Sequence, residues 1–104
     1  MFAEEQFKIK NNIVKLAGRI DFDNVLQLFD RICKSLARKE VWQIDLAGVE
    51  ASNSAGIALL IELMKETQAQ KKKIQINHIP DHLLVLAETA DMKAMLLSCS
   101  AASG

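Results

Sequence analysis

The chain has 104 residues, of which half are hydrophobic and a quarter are charged, the balance of one small soluble domain with its own core. Its 13 basic and 13 acidic side chains cancel, which argues against an overall electrostatic attraction to nucleic acid or to anionic membranes. Two distant cysteines, Cys33 and Cys99, form neither a disulfide framework nor a zinc motif, so we expect a reducing cytosol.

The first part of the chain predicts a β-hairpin followed by a helix. Apolar and polar residues alternate over 6–10, the Asn11-Asn12 pair suits a tight turn, and a second strand is expected over 13–18. Asp21 or Asp23 is expected to cap the helix that follows. Apolar residues then recur at steps of three and four, as in an amphipathic helix: Val25, Leu28, Phe29, Ile32 and Leu36.

The second part alternates between strands and helices. Such alternation predicts an α/β domain with a mostly parallel sheet and right-handed crossovers, which the opening hairpin makes mixed. The predicted order is β-β-α-β-α-β-α-α, in one domain over residues 1–104 without a linker. The remaining expected elements are a strand over 41–46, a loop over 47–56, a helix over 56–70, a strand over 74–77, a helix from Pro80-Asp81, a short helix capped by Asp91, and a disordered tail over 98–104.

Two motifs in this layout resemble those of the STAS family, which includes the anti-sigma factor antagonists. Gly18-Arg19-Ile20-Asp21 ends the second strand, and Asp45-Leu46 lies on a central strand ahead of Ser54-Ala55-Gly56 at the start of a helix. The resemblance extends from about residue 7 to 97. Within the family, the stretches 18–25 and 56–60 are most similar to MlaB, the STAS subunit of Mla phospholipid-transport ABC complexes.

This resemblance implies a non-catalytic subunit without a cofactor. It would bind an ABC transporter ATPase subunit in the cytoplasm, peripherally associated with an inner-membrane complex that maintains outer-membrane lipid asymmetry. The alternative is an anti-sigma factor antagonist, a partner switch in which an anti-sigma factor kinase phosphorylates Ser54. Asn53 stands where the family has an aspartate, which removes a negative charge from that switch. A third hypothesis is a small-ligand domain that uses residues 51–55 to hold an anion.

Ser54 is expected at the start of a helix, where a serine commonly serves only as an N-cap worth about 1 kcal/mol. The functional interpretation is that a partner contacts this junction and the helix after it. Leu59 and Leu63 fall away from the stripe that a sheet would cover, so they are either exposed or packed against a neighbouring helix. The hypothetical partner surface comprises Asn53, Ser54, Ala55, Gly56, Ala58, Leu59, Glu62 and Leu63.

No set of residues predicts catalysis or a metal site. His78 and His82 are four residues apart, but Pro80 between them disfavours one continuous helical face. No Gly-rich phosphate-binding loop is present, and the longest uncharged apolar run, 55–61, is too short to cross a bilayer. The sequence therefore predicts a binding protein and not an enzyme.

Overall fold

The computed structural model describes residues 6–89 and Ala94. Within this part of the chain, the predicted order of the first seven elements is confirmed. The expected helix from Asp91 and the tail over 98–104 lie outside the described residues, apart from Ala94, which is helical. The elements are β1 (Phe7–Lys10), β2 (Ile13–Ile20), α1 (Val25–Leu36), β3 (Val41–Ser52), α2 (Ser54–Ala69), β4 (Lys73–Asn77) and α3 (Asp81–Thr89).

The four strands form one mixed sheet in the order β1-β2-β3-β4. The pair β1–β2 is antiparallel, whereas β2–β3 and β3–β4 are parallel. Asn11 and Asn12 make the hairpin turn with φ values of 54° and 66°, a conformation that asparagine tolerates better than most residues. Parallel crossovers are almost always right-handed, so two of them in the same direction place α1 and α2 on one face of the sheet, where the two helices contact each other.

The core lies between this face and the helices. Trp42, Ile44 and Leu46 alternate along β3 and have no more than 1% of their surface exposed. Side chains at alternate positions on the other face, such as Lys15 and Gln75, are exposed. The fully buried large side chains are Leu16, Ile20, Leu28, Ile32, Leu36, Trp42, Ile44, Leu46, Leu59, Leu60, Leu63 and Ile76.

Strand β3 is twice as long as predicted, because the stretch expected to be a loop over 47–56 continues the strand to Ser52. The apolar alternation fails at Ala47 and Gly48, which hid the strand in the sequence. Pairing with β2 holds it instead, with two irregularities in register. A Cβ on Gly48 would lie 2.9 Å from the Cβ of Ala17, so the two strands approach closely here. This extension brings the start of α2 beside the end of β2.

The expected capping of α1 by Asp21 or Asp23 is wrong. The N-cap is Asn24, whose side chain makes no capping hydrogen bond to the helix. Asp21 Oδ1 instead accepts from the backbone N–H of Asp23 at 2.9 Å and of Asn24 at 3.2 Å. Asn24 Nδ2 donates to the carbonyl of Arg19 at 2.8 Å. These polar groups fix the turn between β2 and α1 and so orient Phe22 on its surface.

Candidate functional site

The junction between β3 and α2 is built around Asn53. Its backbone N–H donates to the carbonyl of Ile20 at 3.3 Å, which joins the ends of β2 and β3. Asn53 is the N-cap of α2, and its side-chain oxygen accepts from Ala55 N at 2.8 Å. The expectation that Ser54 caps the helix is therefore wrong, because Ser54 is the first residue inside it. Its side chain is exposed.

Three backbone donors of this junction are already used. Asn53 N–H binds Ile20, Ala55 N–H binds the Asn53 side chain, and Gly56 N–H binds the Asn53 carbonyl at 3.0 Å. Residues 51 and 52 belong to β3 and not to a loop. These bonds disfavour the hypothesis of an anion nest over 51–55, since such a nest requires free N–H groups.

Over its first three turns, helix α2 exposes a narrow stripe of Ser54, Ala58 and Glu62 at intervals of four residues, and its last turns expose Lys65, Gln68 and Ala69. Leu59 and Leu63 have 1% and 0% of their surface exposed, so the expectation that they form an apolar patch is wrong. Both side chains belong to the core, which agrees with the alternative that they pack against a neighbouring helix. The sheet and the flanking helices cover α2 from three sides.

Ala55 and Gly56 are also buried, so neither offers a surface to a partner. A Cβ on Gly56 would lie 2.0 Å from Ser52 Oγ and 3.1 Å from Cδ2 of Leu83 on α3. Gly56 therefore serves close packing between the first turn of α2, the end of β3 and α3. Of the eight predicted surface residues, the structure exposes Asn53, Ser54, Ala58 and Glu62.

Two apolar grooves flank the exposed stripe of α2, and Ala58 lines both. The first, of about 480 Å³, separates α2 from α3. The second, of about 240 Å³, separates α2 from α1. The methyl group of Ala58 makes only a low ridge between them. The first groove is lined by Phe22, Ser54, Ile57, Ala58, Ile61, Leu86 and Thr89, and the second by Val25, Leu26, Phe29, Ala58, Leu59 and Glu62.

Sequence reasoning missed two large apolar side chains beside these grooves. Phe22 is 67% exposed and Leu26 is 78% exposed. Leu26 carried a usable signal, because it interrupts the polar face of α1 one turn before Asp30. Phe22 lies in a turn, where periodicity gives no information. We define the Ala58 face as Phe22, Leu26, Ser54, Ala58, Ile61, Glu62 and Leu86, which together surround the two grooves.

The polar cluster around Asp45 lies on the uncovered face of the sheet, away from the Ala58 face. Asp45 Oδ1 accepts from Ala47 N at 2.8 Å and lies 3.0 Å from Nδ1 of His78. Burial acts to raise the pKa of Asp45, but the hydrogen bond from Ala47 and the bond and charge of His78 outweigh it and hold that pKa below its ordinary value. His82 is half-buried on α3. The contact between Asp45 and His78 therefore has a structural explanation, because it joins β3 to the residue directly after β4.

Neither a metal centre nor a membrane span is evident in the described part of the chain. No group of three or more His, Cys, Asp or Glu side chains is placed to hold a metal ion among those residues. None of the helices over 6–89 has the length and apolarity needed to cross a bilayer. The candidate functional site is therefore the Ala58 face, whose two grooves lie beside the largely exposed Phe22 and Leu26.

Comparisons with known proteins agree with this architecture. The profile of a family described as "Mlab, STAS domain" matches residues 4–98. The anti-sigma factor antagonist SpoIIAA in its unphosphorylated form is a structural neighbour at 17% identity and a TM-score of 0.59, over 77% of this chain and 78% of that one. A putative anti-sigma factor antagonist from Thermotoga maritima is similar at 15% identity and a TM-score of 0.59, over 83% and 80%.

No sequence among curated proteins matches the chain. At identities this low, the structural similarity establishes the fold alone, and the predicted α/β fold of the antagonist type is confirmed.

Proposed function

This chain belongs to the MlaB family of STAS domains, and we propose that it binds and regulates the cytoplasmic ATPase of an Mla-type phospholipid-transport ABC complex. STAS domains are generally binding modules and not enzymes, and the proposal gives this chain no chemistry of its own. It would act in the cytoplasm, on the periphery of an inner-membrane complex that maintains outer-membrane lipid asymmetry.

The observation that carries the proposal is the exposed apolar surface of the Ala58 face. Phe22 and Leu26 are mostly exposed beside two apolar grooves, and contiguous apolar patches on a soluble domain mark interaction sites. Burying a large apolar side chain fully contributes about 1.5–3 kcal/mol. Covering two side chains that are 67% and 78% exposed would therefore contribute about 1–2 kcal/mol each.

Regulation follows if the ATPase has more than one conformation. A domain that binds one conformation more tightly shifts the population toward it by the difference in affinity and needs no chemistry to do so. The Ala58 face suits this role because it is presented by four packed elements: the turn before α1, then α1, α2 and α3. A rigid surface of this kind discriminates between two shapes of a partner.

Co-expression with the ATPase subunit of the same transport system tests the proposal. Ala58→Arg places a long charged side chain on the ridge between the grooves, whereas Ala69→Arg places the same side chain at the exposed C-terminal end of the same helix. We expect Ala58→Arg to abolish co-purification and Ala69→Arg to preserve it. Far-UV circular dichroism and Trp42 fluorescence check that both variants fold. Normal recovery of the complex with folded Ala58→Arg would overturn the proposal.

A second candidate, an anti-sigma factor antagonist, is favoured by the exposure of Ser54 on the first turn of α2. A phosphate at a helix N-terminus is stabilised by free backbone N–H groups. Here Ala55 N–H and Gly56 N–H are already bonded to Asn53, which leaves the site less suited to a phosphate. Incubation with a cognate anti-sigma factor kinase and ATP distinguishes the two functions. A phosphate mass shift that disappears in Ser54→Ala would support the antagonist.

A further inference from the structure

We propose that the partner segment covering the Ala58 face is cationic, with large apolar side chains for the two grooves and lysine or arginine opposite Glu62 and Asp23. This inference rests on the proposed function, because it specifies the chemistry of the ATPase surface that would meet this chain.

The charges around the two grooves carry the inference. Among the described residues that line them, Glu62 is the one with a charge, and it is exposed. Asp23 is exposed directly after Phe22, and no ion pair joins it to another described residue. The apolar surface therefore has an acidic border although the chain as a whole is neutral.

The ion pair of Glu62 leaves its charge available to a partner. Lys65 lies 3.6 Å from Glu62, and the two side chains are 69% and 57% exposed. Such a solvated pair contributes about 0–1 kcal/mol and rearranges readily. A partner that covered Glu62 and Asp23 without supplying positive charge would remove both carboxylates from water uncompensated, which opposes binding.

The seam between α1 and α2 also carries negative charge, at Asp30 on α1 and at Glu66, one turn after Glu62 on α2. Burial, followed by the charges of Glu66 and Asp30, raises the pKa of the Cys33 thiol to about 11. Both carboxylates therefore act on a half-buried group between the helices. Acidic side chains thus continue from Glu62 along this seam, where Asp30 is paired with Lys34 at 3.0 Å. Complementary charge on a partner would speed its association.

Glu62→Lys and Glu40→Lys provide a matched pair of charge reversals. Each changes the net charge by two. Glu40 is exposed and directly precedes the start of β3, whereas α2 follows the other end of that strand, at Ser52. We expect Glu62→Lys to raise the dissociation constant for the ATPase subunit by about three- to thirtyfold at low salt, because it replaces an attraction with a repulsion. Glu40→Lys should change it less than twofold, and Asp23→Lys should act like Glu62→Lys.

Salt dependence and charge exchange complete the experiment. The difference between wild type and Glu62→Lys should shrink between 50 and 300 mM salt, since exposed charges are increasingly screened over about this range. Reversal of a lysine or arginine on the ATPase should restore the affinity of Glu62→Lys. Equal affinities of Glu62→Lys and Glu40→Lys would overturn the inference while Ala58→Arg still tests the docking itself. Absence of any complex with the wild-type chain would instead refute the proposed function.

Discussion

Replacing Gly56 by alanine tests whether close packing, and not helix propensity, governs the first turn of α2. Alanine is favoured over glycine in a helix by about 1 kcal/mol, so propensity alone predicts stabilisation. The structure predicts the opposite. The new Cβ would lie 2.0 Å from Ser52 Oγ, 3.2 Å from Ser52 Cβ and 3.1 Å from Leu83 Cδ2.

The magnitude follows from what must move. Rotation of the Ser52 hydroxyl sacrifices its hydrogen bond to the Asn53 carbonyl, now 2.9 Å long, at about 1 kcal/mol. The remaining contacts with Ser52 Cβ and Leu83 add an overpacking cost of about 1–3 kcal/mol. After the propensity gain, Gly56→Ala should destabilise the domain by about 1–3 kcal/mol. For a domain of this size each kcal/mol lowers the melting temperature by about 4–8 °C.

Urea unfolding followed by the fluorescence of Trp42 measures this loss, because that side chain is fully buried in the folded state. A double-mutant cycle with Ser52→Ala supplies the control. Removing the hydroxyl relieves the shortest contact, so Gly56→Ala should cost about 1 kcal/mol less in the Ser52→Ala background. A higher melting temperature for Gly56→Ala, or strictly additive effects in the cycle, would refute the packing argument.

The remaining predictions concern burial, pH and thiol chemistry. Leu63→Ala should lower the free energy of unfolding by about 2–5 kcal/mol because Leu63 is buried, whereas Leu26→Ala should lower it by less than about 0.5 kcal/mol because Leu26 is exposed. Urea titrations measure both losses, and similar values would contradict the assignment of Leu63 to the core. Because the folded-state pKa of Asp45 is lowered, its ionised form adds stability above the unfolded pKa of about 4, and this is lost as the pH falls through the folded value. The unfolding free energies of wild type and Asp45→Asn should therefore differ most near neutral pH, and this difference should shrink as the solution is acidified; a constant difference would contradict the linkage. With its pKa at about 11, Cys33 in a Cys99→Ser variant should react with a thiol reagent at pH 8 about tenfold more slowly than an exposed cysteine, and equal rates would refute its burial.

The elements of the fold were largely readable from the chain. The alternation in 6–10, the Asn11-Asn12 turn and the three- and four-residue spacing in α1 all follow from local geometry, which is the same whatever the rest of the chain does. The motifs around Gly18 and Asp45 pointed to the STAS family, which the family match over residues 4–98 confirms. The second half of β3 was not readable, because its pairing with β2 and not its own pattern holds it extended.

The site was only half readable for a related reason. The spacing of Ser54, Ala58 and Glu62 already placed these residues on one side of α2, and the structure exposes that side.

The first turns of α2 are apolar nearly all the way round, so the pattern could not say which flank the neighbouring helices would cover. Packing by α1 and α3 decided this, since it buried Leu59 and Leu63 and left Phe22 and Leu26 in solvent. Periodicity along one segment thus determined its secondary structure, and short motifs indicated the family, whereas exposure depends on what distant segments cover. Only the tertiary structure decides that.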